Sequence, residues 1–178
     1  MNSALELFVE QGIGPTTVDQ VTAKAQVAKG TFYLYFKSKD EIVDALVVRF
    51  ADELLARIDE VLSSVAEDDW HSKLSSWART CIQGYLSAVY AHDALFSGSS
   101  VSMRRAKIDN VVVKSLERLL KQGTSAGVWK VDDAQMTAEF LYSGLQGAVD
   151  WAYSSEKRVS KHKLCARIEA MMMQAVRP

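Results

Sequence analysis

The chain has 178 residues, 48% hydrophobic and 24% charged, with a formal net charge of −1. That is the composition of a globular chain with a sizeable core, and the charge excludes a protein that holds nucleic acid by overall positive charge. Any DNA site must be a local patch that releases its duplex readily as salt rises.

Apart from Pro178, proline occurs only at Pro15, so residues 16–177 contain no obligate helix breaker. Leu5, Phe8 and Val9 share one side of a short amphipathic helix over 1–12, closed by Gly12. Gly12-Ile13-Gly14-Pro15 is a turn signal. Thr17 and Gln20 have capping-box spacing and open a two-turn helix with Val18, Val21 and Ala25 on its buried edge. A break at Gln26-Val27 leads to a third helix, about 28–36, with Phe32 and Phe36 four residues apart. Ser38 and Glu41 repeat the capping pattern before a long helix whose stripe runs Ile42, Leu46, Phe50, Leu54, Ile58, Val61, Val65. Trp70, Leu74, Trp77, Cys81 and Tyr85 form the next stripe, ending near Tyr90, and 92–100 reads as a loop. Ile108, Val112, Leu116 and Leu119 mark a helix closed by Gly123 or Gly127. Asp132 caps another, carrying Leu141, Leu145, Ala148 and Ala152, and Ser160 begins the last, with Leu164, Ile168, Met171 and Met172 facing inward. The expectation is an all-α fold of about nine helices.

Three short helices before a long one have the form of a helix-turn-helix head built onto a stalk. Between Thr16 and Lys39, Lys24, Lys29, Lys37 and Lys39 face one acid, Asp19, a local charge of +3 interleaved with Thr31, Tyr33 and Tyr35. The runs Thr16-Thr17-Val18-Asp19-Gln20-Val21 and Val27-Ala28-Lys29-Gly30-Thr31-Phe32-Tyr33-Leu34-Tyr35-Phe36-Lys37-Ser38-Lys39-Asp40-Glu41 resemble the signature of the TetR family of transcriptional regulators. The likeness covers Leu5 to Glu41; the remainder matches in helix pattern alone.

The resemblance implies an N-terminal helix-turn-helix DNA-binding domain, 1–47, and a helical ligand-binding and dimerisation domain, 48–178. It implies that Lys29 and Tyr33 reach base edges, that Leu34 touches thymine methyls, and that Gly30 allows close backbone approach. Thr17, Thr31, Tyr35 and Lys39 would bond phosphates, with Phe32, Phe36 and Val27 as the small core. Three departures stand out. Gln26 occupies a turn position usually held by Gly, which costs about 1 kcal/mol if the positive φ is kept. Ala28 replaces a capping Ser, worth about 1 kcal/mol. Met1 lies almost within the first helix, where relatives commonly carry a basic arm, so the start is truncated or affinity is lower than usual.

His71, His92 and His162 lie apart, with no metal-ligand spacing, and read as surface residues. No acid–base pair, cofactor motif or phosphate loop marks an enzyme, and no metal or cofactor is expected. Cys81 and Cys165 are isolated, which suits free thiols in the cytoplasm. No apolar run reaches the length of a membrane span, and Glu6 and Glu10 break the N-terminal apolar stretch, so neither membrane nor signal peptide is expected. Trp77, Tyr85, Phe96, Met103, Phe140 and Trp151 are candidates to line a pocket for a small, apolar effector, as the resemblance implies; packed core accounts for each equally well. Leu141, Gly144, Leu145 and Ala148, with Leu164, Ile168, Met171 and Met172, are the expected homodimer surface. The functional expectation is a repressor on a near-palindromic duplex operator, released by its effector. The alternative is a ligand-binding or protein-interaction regulator whose DNA module has weakened.

Overall fold

The structure, a computed structural model, describes residues 1–87, 101–154 and 160–177, and for residues 87, 101–109, 153 and 154 the backbone alone. The described residues form eight α-helices and no strand: α1 Asn2–Gln11, α2 Val18–Ala25, α3 Lys29–Tyr35, α4 Lys39–Ser64, α5 Trp70–Ser87, α6 Val101–Ser125, α7 Ala134–Ser154 and α8 Lys161–Ala175. Phe96, His92 and the expected loop at 92–100 lie outside the described residues.

The chain divides into two compact units. One contains Met1–Asp52 and residues 101–109; the other contains Glu53–Ser87 and the described residues from Asn110 onward.

In the first unit the buried apolar residues include Ala4, Phe8, Val21, Phe32, Ile42, Val43, Leu46 and Val47. They recur at helical spacing on their helices, so each helix turns one stripe inward and leaves its charged face to water. Val27, expected in this core, is exposed, and Phe36 is half-buried. Val27 follows a left-handed residue, which turns the chain away from the α2 stripe.

In the second unit Trp77 is fully buried, and its indole N–H donates to Ser115 Oγ at 2.8 Å; that hydroxyl in turn donates to the Val112 carbonyl. The indole packs edge-on against Tyr142, with ring centroids 6.2 Å apart. Gly127, at φ 72°, ends α6 with a Schellman motif: Val128 N–H donates to Gly123 O and Gly127 N–H to Thr124 O. Gly123 has a separate duty. A Cβ there would lie 2.1 Å from the indole of buried Trp129, whose N–H donates to Leu120 O at 3.0 Å. The α7 cap is Asp133, whose carboxylate accepts from Met136 N–H, one residue later than the Asp132 expected from spacing. Asp69 caps α5 through Ser72, and that hydrogen bonding holds its carboxyl below the usual range.

Candidate nucleic-acid interface

The head is assembled by local hydrogen bonds that the sequence pattern encodes. Thr17 is the N-cap of α2 in a complete capping box: its hydroxyl accepts from Gln20 N–H, and Gln20 Oε1 accepts from Thr17 N–H. Gln26 closes the helix in the left-handed region, at φ 55° and ψ 41°. Val27 N–H donates to Thr22 O and Gln26 N–H to Ala23 O, the same Schellman pattern that Gly127 makes at the end of α6. A glutamine thus holds a conformation that disfavours every residue with a Cβ. Ala28 supplies no side-chain cap to α3, as expected of an alanine there.

This geometry turns α3 outward. Tyr33 is 52% exposed, Leu34 82% and Tyr35 75%, so three consecutive large side chains of this seven-residue helix meet solvent. Phe32, the one buried residue of α3, packs edge-on against Tyr33 and tilted against Phe36, which fixes the helix on its stem. Gly30 faces open space, with nothing within 4 Å of where a Cβ would lie, so another chain can approach its backbone. Thr31 is half-buried beside it.

The lysines are less free than a count of charges implies. Lys24 is paired with Glu6 at 3.2 Å and Glu10 at 2.9 Å, a bracket between α2 and α1 that raises the lysine's pKa, with the Glu10 hydrogen bond the main cause. Lys29 pairs with Asp19 at 2.7 Å, and that hydrogen bond raises its pKa. Lys39 donates all three ammonium protons to backbone: to the carbonyls of Ile13, Gly14 (2.8 Å) and Thr16 (2.9 Å). A lysine has three donors and no more. Lys39 is therefore the clasp of the α1–α2 turn in this structure, which corrects the expectation that its side chain is free for phosphate. Thr17 is likewise engaged as a cap. Among the described residues only the Lys37 ammonium, of these four, has neither an anionic nor a carbonyl partner. Its backbone N–H donates to Glu41, which with Glu41 N–H on Ser38 Oγ caps the start of α4.

Residues 1–46 match the family described as bacterial regulatory proteins, tetR family. The likeness to that family is thus shown for the helix-turn-helix head, residues 1–46. Over 141 residues the chain is 24% identical to the uncharacterized HTH-type transcriptional regulator YhgD of Bacillus subtilis, spanning 78% of this chain and 74% of that protein. Over 63 residues it is 38% identical to the HTH-type transcriptional repressor KstR2 of Mycobacterium tuberculosis, 35% of this chain and 32% of that one. Its fold matches the transcriptional regulator FadR from Bacillus subtilis, solved in complex with stearoyl-CoA, at a TM-score of 0.80 and 19% identity, covering 98% of this chain and 96% of that one. The second of these matches is short and the others are distant.

In the second unit the structure departs from the residue sets expected. The pocket candidates do not converge. Trp77 is locked in the core, Tyr85 donates to Asp150 at 2.7 Å, and Phe140 and Trp151 are 73% and 59% exposed. Phe96 lies outside the described residues, and for Met103 the backbone alone is described. The dimer set also divides. Leu141, Leu145, Leu164, Ile168 and Met172 are buried in the chain's own core, so they do not form an outer surface. Gly144 and Met171 are exposed and Ala148 half-buried. The outward stripe of α7 is Met136, Phe140, Gly144, Gly147 and Trp151, at steps of four, four, three and four residues. Met136 was missed by sequence reasoning, although its spacing to Phe140 and Gly144 carried the signal. Among the described residues no group of His, Cys, Asp and Glu could hold a metal, and no helix is long and apolar enough to cross a membrane.

Proposed function

We propose that this chain is a cytoplasmic homodimeric repressor that reads a near-palindromic operator with α3 and is released by a small ligand bound in its second unit. The observation that carries this is the exposed row Lys29, Gly30, Tyr33, Leu34 on a short helix fixed behind a Schellman turn. Lys29 and Tyr33 read base edges and Leu34 meets thymine methyls in the major groove. Thr31, Tyr35 and the backbone around Thr17 take phosphates, and Lys37 replaces Lys39 as the main cationic phosphate contact. With a dimer, two heads enter successive grooves about 34 Å apart, which is why the operator is near-palindromic.

The dimer is supported by the α7 stripe. Two aromatic residues and a methionine flank Gly144 and Gly147, where nothing lies within 4 Å of an added Cβ, so a second helix can pack closely. Exposed patches of this kind mark interaction surfaces. The domain boundary proposed is residue 47/48, with α4 running unbroken from Lys39 to Ser64 as the element through which ligand and DNA binding communicate. A coupling of about 1–3 kcal/mol changes affinity about 5- to 150-fold. FadR's complex with stearoyl-CoA supports an effector with an apolar part. No catalytic role is proposed.

A second reading, a regulator with a weakened DNA module, is favoured by the engaged lysines together with Gln26 and Ala28. Selection from a random duplex pool separates the two. Enrichment of a palindrome supports the repressor; a pool that stays random supports the second reading.

A further inference from the structure

The second unit contains an open cleft of about 410 Å³ between α5 and α8, a volume in the range of small-ligand sites. Arg79 and Glu169 share one wall. Arg79 Nε and Nη2 donate to Glu169 Oε1 at 3.2 and 3.1 Å, and Nη2 also donates to Oε2 at 2.9 Å, so the mostly buried carboxylate is neutralised within the wall. The guanidinium remains half exposed, with Nη1 turned to no partner among the described residues. Lys161 and His162 line the same cleft, and neither has a partner among the described residues. Leu86 and Cys165 supply an apolar side, and burial pushes the Cys165 thiol up.

Three nitrogen donors, on Lys161, His162 and the Nη1 edge of Arg79, thus line a cavity whose single carboxylate is already paired. An anion gains charge-assisted hydrogen bonds there; a cation meets only like charge. We propose that this cleft binds a small amphipathic anion. Its carboxylate or phosphate head lies against Lys161, His162 and the free edge of Arg79, and its short apolar tail lies over Leu86 and Cys165. The site rests on the reading that the second unit receives a small ligand, but its occupancy is measurable without DNA.

Cys165 makes the test local. Cys81 is fully buried, so alkylation of the native full chain by iodoacetamide reports Cys165, with Cys81 as the internal control. Octanoate and octyl phosphate, which separate the two head groups, are compared with octanol and octylamine. Saturable protection of Cys165 by about tenfold from either anion, and none from octanol or octylamine, is expected. Lys161→Glu/His162→Glu, both at exposed positions, should remove protection without changing thermal unfolding; Lys161→Ala serves as the milder variant if the pair disturbs folding. Equal protection by octanol, no protection by any probe, or protection that survives both variants overturns the proposal. Operator release by the same probes is measured separately. Protection without release keeps the site and removes the effector reading.

Discussion

The ammonium of Lys29, the first residue of α3, lies 2.7 Å from a carboxylate oxygen of Asp19 in the first turn of α2. The residue proposed to read bases is therefore held by an acid on the helix before it. To contact a base edge, Lys29 must exchange this partner, while Asp19 stays close to the phosphates and repels them. Asp19→Asn should strengthen binding to arbitrary duplex about two- to fivefold at low salt, the scale of an exposed ion pair. The discrimination between operator and arbitrary duplex should fall, because a released lysine is less well placed. Fluorescence anisotropy on both duplexes checks the two effects together; weaker binding to both would show that Asp19 assists the contact.

Lys39 ties the start of α4 to the α1–α2 turn through three carbonyls. Hydrogen bonds from a charged donor contribute about 1.5–3 kcal/mol. Lys39→Met should lower stability by about that amount in the absence of DNA, with faster hydrogen exchange at residues 13–17. A variant that loses DNA affinity at unchanged stability and exchange would return Lys39 to the role of a phosphate contact.

Gln26 sits at φ 55°, where a Cβ is penalised and glycine is not. Gln26→Gly should stabilise the chain by about 0.5–1 kcal/mol, net of the entropy that glycine adds to the unfolded state. Chemical denaturation measures this, and a loss of stability would mean that the glutamine side chain contributes an interaction worth more than the strain.

Much of the head was legible in sequence because its geometry is local. The capping box at Thr17 and Gln20 and the turn at Gln26 involve neighbours a few residues apart, and each formed where the pattern placed it. What sequence did not carry was the partner of each lysine. Glu6, Glu10 and Asp19 lie on preceding helices, and the carbonyls that hold Lys39 are more than twenty residues away from it. The same limit applies in α7. An apolar stripe predicts a helix, but of the adjacent Phe140 and Leu141 the first is exposed and the second buried. Only packing decides which side is core.

That division predicts the oligomer. Phe140→Asp with Trp151→Asp places two charges on the outward stripe without touching Leu141, Tyr142, Leu145 or Val149 behind it. The expected result is a folded monomer by sedimentation, against a dimer for the parent at micromolar concentration. A parent that sediments as a monomer removes the proposed dimer; a variant that remains dimeric moves it to another face.

The most direct measurement is the ratio of affinities for a pool-selected operator and a scrambled duplex of the same length, for the parent and for Lys29→Ala and Tyr33→Ala. If α3 reads sequence, each substitution costs about 1–3 kcal/mol on the operator, and the ratio falls toward one while scrambled-duplex binding changes little. A ratio that survives both substitutions would contradict the assignment of α3 as the reading helix.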